Sequence, residues 1–146
     1  MNNSSHARAK TSAGFDFRRS TFVNPHTTGT AAKTTGYLVN GATQTGSTLT
    51  VDGGTTTLLV GDVITLAGVY RVHPETKVST GELQQFVVTA NSGTSATSLK
   101  IAPEIVTTGA YKNVTSSPAD NAPIVKVGAG ASELLTGSIA YHKDAF

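Results

Sequence analysis

The stretch over residues 58–90 most limits what this chain can fold into, because its apolar runs are short and are separated by residues that favour turns. A turn at Gly61-Asp62 leads into an apolar run over 63–66, and Gly68 breaks that run before a second one over 69–72. Short runs of β-branched and aromatic residues between Gly, Pro and Asp are typical of strands joined by tight turns. The stretch therefore predicts successive strands and no long helix.

Runs of the same kind recur along the rest of the chain. Beyond the two runs just described, strands are predicted at 37–39, 47–51, 83–90, 97–102 and 123–127, and a last strand or exit segment at 134–141. Residues 105–114 read as a looser connection. Six to eight short strands, spaced by roughly ten residues, favour an all-β fold that is an antiparallel barrel or a sandwich.

The apolar members of these runs predict the hydrophobic core. Residues that alternate along a strand, or that lie in a short apolar run, face the interior of a barrel or sandwich. The predicted core consists of Val39, Leu49, Val63, Ile64, Leu66, Val69, Phe86, Val88, Leu99, Ile101, Val125 and Val127.

Charge is distributed unevenly along the chain. Residues 1–33 hold five Lys or Arg against one Asp, which gives 5 − 1 = +4, and residues 34–146 hold six against eight, which gives 6 − 8 = −2. The first segment is interpreted as a flexible basic arm, because five basic residues without a repeat pattern are too few for a phosphate-binding tail. We therefore expect no nucleic-acid partner.

Membrane insertion is not indicated either. No apolar run of the sequence reaches the ~20 residues of a membrane span.

No constellation of catalytic or ligand-binding residues is visible. The four histidines are far apart, and the chain has no cysteine, so neither metal-ligand spacing nor a disulfide can be identified. Asp62 lies in a turn, where it is expected to bond nearby main chain. We predict no catalytic, cofactor-binding or metal-binding residues and no small-molecule substrate, so we do not expect an enzyme.

The composition leaves a second function class open, a carbohydrate-binding or adhesin-like β-module. Sites of that kind usually use exposed aromatic side chains, and the chain has no Trp and only four Tyr.

Several separated motifs, in order, resemble the major coat protein of tailed phages related to phage P22. They are GDVITLAGVYRVHPETKVSTGELQQFVVTA at 61–90, AYKNVTSSPADNAPI at 110–124 and AYHKDAF at 140–146. The upstream segment AGFDFRRSTFVNPHTTGT, at 13–30, is similar to the part of that family that leads into the same region. The resemblance covers nearly the whole chain.

The resemblance implies a particular part of a longer protein. In this family a capsid-forming core of the HK97 type is interrupted by an insertion domain, a six-stranded antiparallel β-barrel with Greek-key-like connections. Residues 1–33 would then be an extended or disordered basic arm with the segment leading in from the core. Residues 34–139 would be the barrel, and residues 140–146 would return toward the core. The chain would be a structural protein of the phage or prophage virion, made in the cytoplasm of the bacterial host, with no membrane partner.

The resemblance also implies partners. The insertion domain of the family stabilises the coat subunit, aids its folding and projects from the shell surface, so the partners would be the capsid core of the same protein and neighbouring coat subunits. A long charged loop of the family contacts a neighbouring capsomer. The candidate contact loop of this chain is short and uncharged, which argues against salt bridges there; it consists of Asn40, Gly41, Ala42, Thr43, Gln44, Thr45 and Gly46.

An inserted domain must begin and end at one place on its host. We therefore expect Thr34 and Tyr141 to lie on the same side of the barrel, within about two strand spacings, roughly 10 Å. Four aromatic rings of the flanks are expected to be exposed, or covered only by another copy of the chain: Phe15, Phe17, Phe22 and Phe146.

Overall fold

The computed structural model describes residues 24–128 and 130–137. Its compact unit spans His26–Leu135; a second unit comprises Met1–Pro25 and Thr136–Phe146, of which only residues 24, 25, 136 and 137 are described. Within the described ranges there is no helix that could cross a membrane. The strands are β1 (His26–Thr27), β2 (Thr34–Val39), β3 (Gly46–Asp52), β4 (Val63–Val72), β5 (Ser79–Val88), β6 (Ser98–Ile105), β7 (Pro123–Lys126) and β8 (Leu134–Leu135).

Six of these strands close into an antiparallel barrel. The order around the barrel is β2-β3-β6-β5-β4-β7, and β7 pairs with β2 to complete the ring. The pairs β3–β6 and β4–β7 are not consecutive in the chain, so the barrel is not a simple meander. A closed ring leaves no free sheet edge over the paired residues. The predicted all-β class and the six-stranded antiparallel barrel are confirmed.

The longest strands, β4 and β5, include the clearest difference from the sequence-based prediction. The sequence predicts that Gly68 ends a run, but β4 continues through it to Val72. Gly68 has a φ of 79°, and the pairing register shifts between Thr65 and Tyr70. A glycine inside a strand often marks a bulge, because it accepts the left-handed conformation without steric cost. The two short runs therefore form one bulged strand.

The barrel interior is closely packed around two aromatic rings. Phe86 and Tyr37 are both buried, and the Tyr37 hydroxyl donates a hydrogen bond to the main-chain oxygen of Thr56 at 2.6 Å. A Cβ on Gly54 would lie 2.2 Å from the Tyr37 ring, so only glycine fits beneath it. Nine of the twelve predicted core residues are buried: Val39, Leu49, Ile64, Leu66, Val69, Phe86, Val88, Leu99 and Ile101.

The remaining three predicted core residues are not fully buried, and two of them, Val125 in β7 and Val127 just after it, show an error of one residue. Val127 is 43% exposed, and Val63 and Val125 are only half-buried. Ile124 and Lys126 face the interior in place of Val125 and Val127. Side chains alternate between the two faces of a strand, so a shift of one residue exchanges the whole set. Lys126, which the predicted core does not include, is therefore buried.

Candidate functional site

The chain joins the barrel and leaves it on two neighbouring strands. β1 and β8 pair antiparallel, with Thr27 opposite Leu134. Two further main-chain hydrogen bonds, each 2.9 Å long, extend the pairing: from Thr28 N to Glu133 O and from Ser132 N to Gly29 O. We call residues 26–31 the joining segment and residues 128 and 130–135 the leaving segment, and the two together the junction. Any structure to which the barrel is joined must connect through it.

Asp62 attaches the joining segment to the barrel. Its side chain is fully buried, and Oδ1 lies 2.8 Å from Nε2 of His26. Oδ2 accepts hydrogen bonds from the main-chain nitrogens of Gly29 at 3.0 Å and Leu59 at 2.8 Å. A buried carboxylate is tolerated when its oxygens are hydrogen-bonded in this way. The bond from Leu59 is the turn role expected of Asp62, whereas the bonds from His26 and Gly29 were not foreseen.

Lys126 attaches both the joining and the leaving segments. The residue is fully buried, and its Nζ donates to Thr28 Oγ1 at 2.8 Å and to the main-chain oxygen of Gly130 at 2.7 Å. No Asp or Glu oxygen of the described residues forms a salt bridge with it. Lysine is seldom fully buried unless it is paired, because the charged amine loses its water. Here a hydroxyl and a carbonyl replace that water.

The Thr28 hydroxyl is the centre of this network. Oγ1 accepts from Lys126 Nζ at 2.8 Å and from the main-chain nitrogen of Glu133 at 2.9 Å. Its own hydrogen is directed toward the oxygen of Gly29, at a long 3.5 Å. A hydroxyl has one donor and two acceptor positions, so Thr28 uses its full capacity. One side chain therefore links the joining segment, strand β7 and the leaving segment.

Gly29 fits against the barrel only because it has no side chain. A Cβ at this position would lie 2.1 Å from the main-chain oxygen of Thr57. The neighbouring residues complete the contact, since Ala31 N donates to Thr57 O at 3.1 Å and Thr30 N donates to Thr57 Oγ1 at 3.1 Å. Glycine allows this close approach of two main-chain segments. The joining segment is thus seated on the barrel.

The predicted contact loop over residues 40–46 lies away from the junction. It follows β2, whose first residues are near the junction, so one strand length, roughly 17–20 Å, separates the two. Gln44 closes the loop: Nε2 donates to the oxygens of Asn40, Gly41 and Thr50, and Oε1 accepts from Thr50 N at 2.6 Å. The loop is therefore held in one shape by an uncharged side chain.

The side-chain contacts described for both regions join main-chain segments to one another. Within the described ranges, no group of three or more His, Cys, Asp or Glu residues could hold a metal ion. His26 is fixed by Asp62, and its ring packs over Gly61, where a Cβ would lie 3.1 Å from the ring. The roles of Lys126 and Thr28 could not be found from the sequence, because the bond that joins the two side chains spans 98 residues of the chain.

Comparison with known proteins points to one family. A family model described as "P22 coat protein - gene protein 5" matches residues 9–146. A solved structure described as "CUS-3 coat protein I-domain" has 31% sequence identity to this chain, covers 64% of this chain and 96% of its own, and has a TM-score of 0.48. No curated protein matches the chain.

Proposed function

The chain belongs to the P22 coat protein family, and on that premise we propose that residues 26–135, which contain the barrel and the paired strands β1 and β8, are inserted into the capsid-forming core of a phage coat protein. Family membership confirms the resemblance that the motifs suggested. It makes the chain a structural protein of the phage capsid, which assembles with other coat subunits. The single observation that carries the insertion is the pairing of β1 with β8.

An inserted domain requires that its two ends lie close together, and the pairing of β1 with β8 brings them together. Opposite residues of an antiparallel pair, such as Thr27 and Leu134, have Cα atoms about 4.5–5.5 Å apart. Insertion of a domain is tolerated when its two ends lie close together, because the host chain is then barely displaced. The predicted proximity of Thr34 and Tyr141 stays a prediction, because Tyr141 lies outside the described residues. The predicted exposure of four flanking rings also stays a prediction, because these residues lie outside the described ranges: Phe15, Phe17, Phe22 and Phe146. The domain boundaries at 33/34 and 139/140 stay predictions as well.

The proposed role of the barrel is to stabilise the coat subunit, aid its folding and project from the shell. A closed ring with its own buried core can fold as a unit. The buried contacts of Asp62 and Lys126 would transmit that stability to the connecting strands. The proposed partners are the capsid core of the same protein and neighbouring subunits, and synthesis takes place in the cytoplasm of the bacterial host. Family membership does not favour the carbohydrate-binding or adhesin-like alternative.

Residues 40–46 are the proposed contact loop toward a neighbouring subunit. Gln44 holds the loop in a fixed shape, which lowers the entropy lost when a surface binds. The loop carries no Asp, Glu, Lys or Arg. Its contacts would therefore be hydrogen bonds and packing, not salt bridges.

Deletion of the barrel from the coat protein tests the proposal. Residues 28–133 are replaced by a two-glycine link between Thr27 and Leu134, which the pairing of these residues allows. We expect more aggregated subunits and shells that break at lower temperature, with the outer protrusions missing in electron cryomicroscopy. Coat protein with Gly93→Ala, at an open surface position, is the matched control. Shells of unchanged yield and heat resistance would contradict the stabilising role, and loss of density from the inner surface would contradict the projection.

A further inference from the structure

Asn40 is the one asparagine of the chain that is followed by glycine. Its main chain is fixed, because its nitrogen donates to Thr50 O at 3.0 Å and its oxygen accepts from Gln44 Nε2 at 2.8 Å. The residue is exposed, and its side-chain amide makes no hydrogen bond to the described part of the chain. The amide carbon is thus free to rotate toward the nitrogen of Gly41, a residue that has no side chain of its own to crowd the approach.

The main-chain N–H of Gly41 is in contact with a carboxylate. It donates to Asp120 Oδ1 at 2.7 Å. The other oxygen, Oδ2, accepts from the side chain of Asn121 at 2.9 Å, which fixes the orientation of the carboxylate. A general base must lie within about 2.6–3.2 Å of the atom whose proton it takes. Asp120 meets this condition for the Gly41 nitrogen.

We propose that Asn40 is a site of spontaneous deamidation and that Asp120 is the base that promotes it. The Gly41 nitrogen attacks Cγ of Asn40 and forms a new C–N bond, while its proton passes to Asp120. The bond from Cγ to the side-chain nitrogen breaks, and that nitrogen leaves as ammonia after taking up a proton. Water then opens the five-membered imide at either carbonyl, which gives aspartate or isoaspartate. The only co-reactant is water, and no electrons are exchanged.

The other asparagines of the barrel lack this arrangement. Asn91 Oδ1 accepts from Val60 N at 2.8 Å, and Asn113 uses both side-chain atoms in hydrogen bonds. Asn121 donates to Asp120. Each is followed by a residue with a side chain, which crowds the attacking nitrogen. Their amide carbons are held away from the next nitrogen, so these three positions are internal controls.

The modification would change the charge of the contact loop. Residues 40–46 are uncharged, and conversion places a carboxylate one residue from the nitrogen bound by Asp120. Two neighbouring carboxylates repel each other, so the bond from Gly41 to Asp120 would weaken. Ageing would then alter the loop surface. The deamidation itself does not depend on whether the loop contacts another subunit.

The test is peptide mapping by mass spectrometry of the purified chain during incubation in mildly alkaline buffer. We expect conversion at Asn40 to exceed that at Asn91, Asn113 and Asn121, and to be faster in the folded chain than in urea. Asp120→Asn keeps an oxygen that can accept from Gly41 but cannot take its proton. This variant should slow conversion by about tenfold or more, below the full effect of an enclosed general base because the site is exposed.

Three results would overturn the proposal. They are conversion at Asn40 no faster than at the three control asparagines, equal rates with and without Asp120→Asn, and faster conversion in urea than in the folded chain. Because the comparison with urea uses the unaltered chain, it decides the matter even if the variant disturbs the barrel. The urea midpoint of the variant shows whether the fold is retained.

Discussion

Replacement of Gly29 by alanine tests how tightly the junction is seated on the barrel. A Cβ at this position would lie 2.1 Å from the main-chain oxygen of Thr57 and 2.7 Å from its carbonyl carbon. Both atoms belong to the main chain, so no side-chain rotation relieves the overlap. The joining segment must instead move away from Thr57.

The size of the effect follows from the contacts that this movement disturbs. The hydrogen bonds at risk are Gly29 N to Asp62 Oδ2, Thr30 N to Thr57 Oγ1 and Ala31 N to Thr57 O. Each contributes about 1 kcal/mol, and overpacking costs about 1–3 kcal/mol in its own right. Some bonds will reform after the shift. We therefore expect Gly29→Ala to lower the free energy of unfolding by about 3–5 kcal/mol.

Urea unfolding followed by circular dichroism measures this loss, and hydrogen exchange of the Ala31 amide reports local detachment. Gly93→Ala is the matched control, because nothing lies within 4 Å of a Cβ there and its φ is outside the left-handed region. It should leave stability unchanged or raise it by about 0.4–1 kcal/mol through the unfolded state. If Gly29→Ala costs less than about 1 kcal/mol and Ala31 stays protected, the close contact with Thr57 is wrong.

Four further substitutions test the core and the loop. Phe86→Ala should cost about 3–5 kcal/mol in urea unfolding because the ring is fully buried; a loss under about 1 kcal/mol would place the ring at the surface. Ile124→Ala should cost about 2–5 kcal/mol, whereas Val127→Ala should stay within about 1 kcal/mol, and the reverse order would restore the register expected from sequence. Gln44→Ala should speed hydrogen exchange of the Thr50 amide by about tenfold, the equivalent of one hydrogen bond, and an unchanged rate would show that Gln44 does not close the loop.

The strands could be predicted because their turns carry strong local signals. Asn40-Gly41 and Gly61-Asp62 separate runs whose pattern requires only neighbouring residues. Gly68 misled the prediction for the same reason, since a glycine that ends a strand and one that forms a bulge look alike in sequence. Only the pairing of β4 with β5 distinguishes them, and that pairing is a long-range property.

The face of β7 could not be predicted, because the sequence offers two apolar residues on one side and one on the other. Val125 and Val127 form the apparent core face in the sequence. The structure pairs Ile64 with Lys126 across β4 and β7 and turns the lysine inward. What makes this possible is Thr28, which lies 98 residues away in sequence. No local rule contains that information.

Two buried ionisable groups of the barrel, Asp62 and Lys126, bond to the junction and explain why the joining segment and the barrel should open together. Asp62 immediately precedes β4, and Lys126 ends β7, which pairs with β4. The segment around Thr28 and Gly29 bonds to both side chains. If that segment detached, a buried carboxylate and a buried amine would lose partners at once, and each would have to regain water or remain unsatisfied at a cost of about 1–3 kcal/mol or more. A flexible tether would impose no such cost. The junction should therefore unfold with the barrel and not before it.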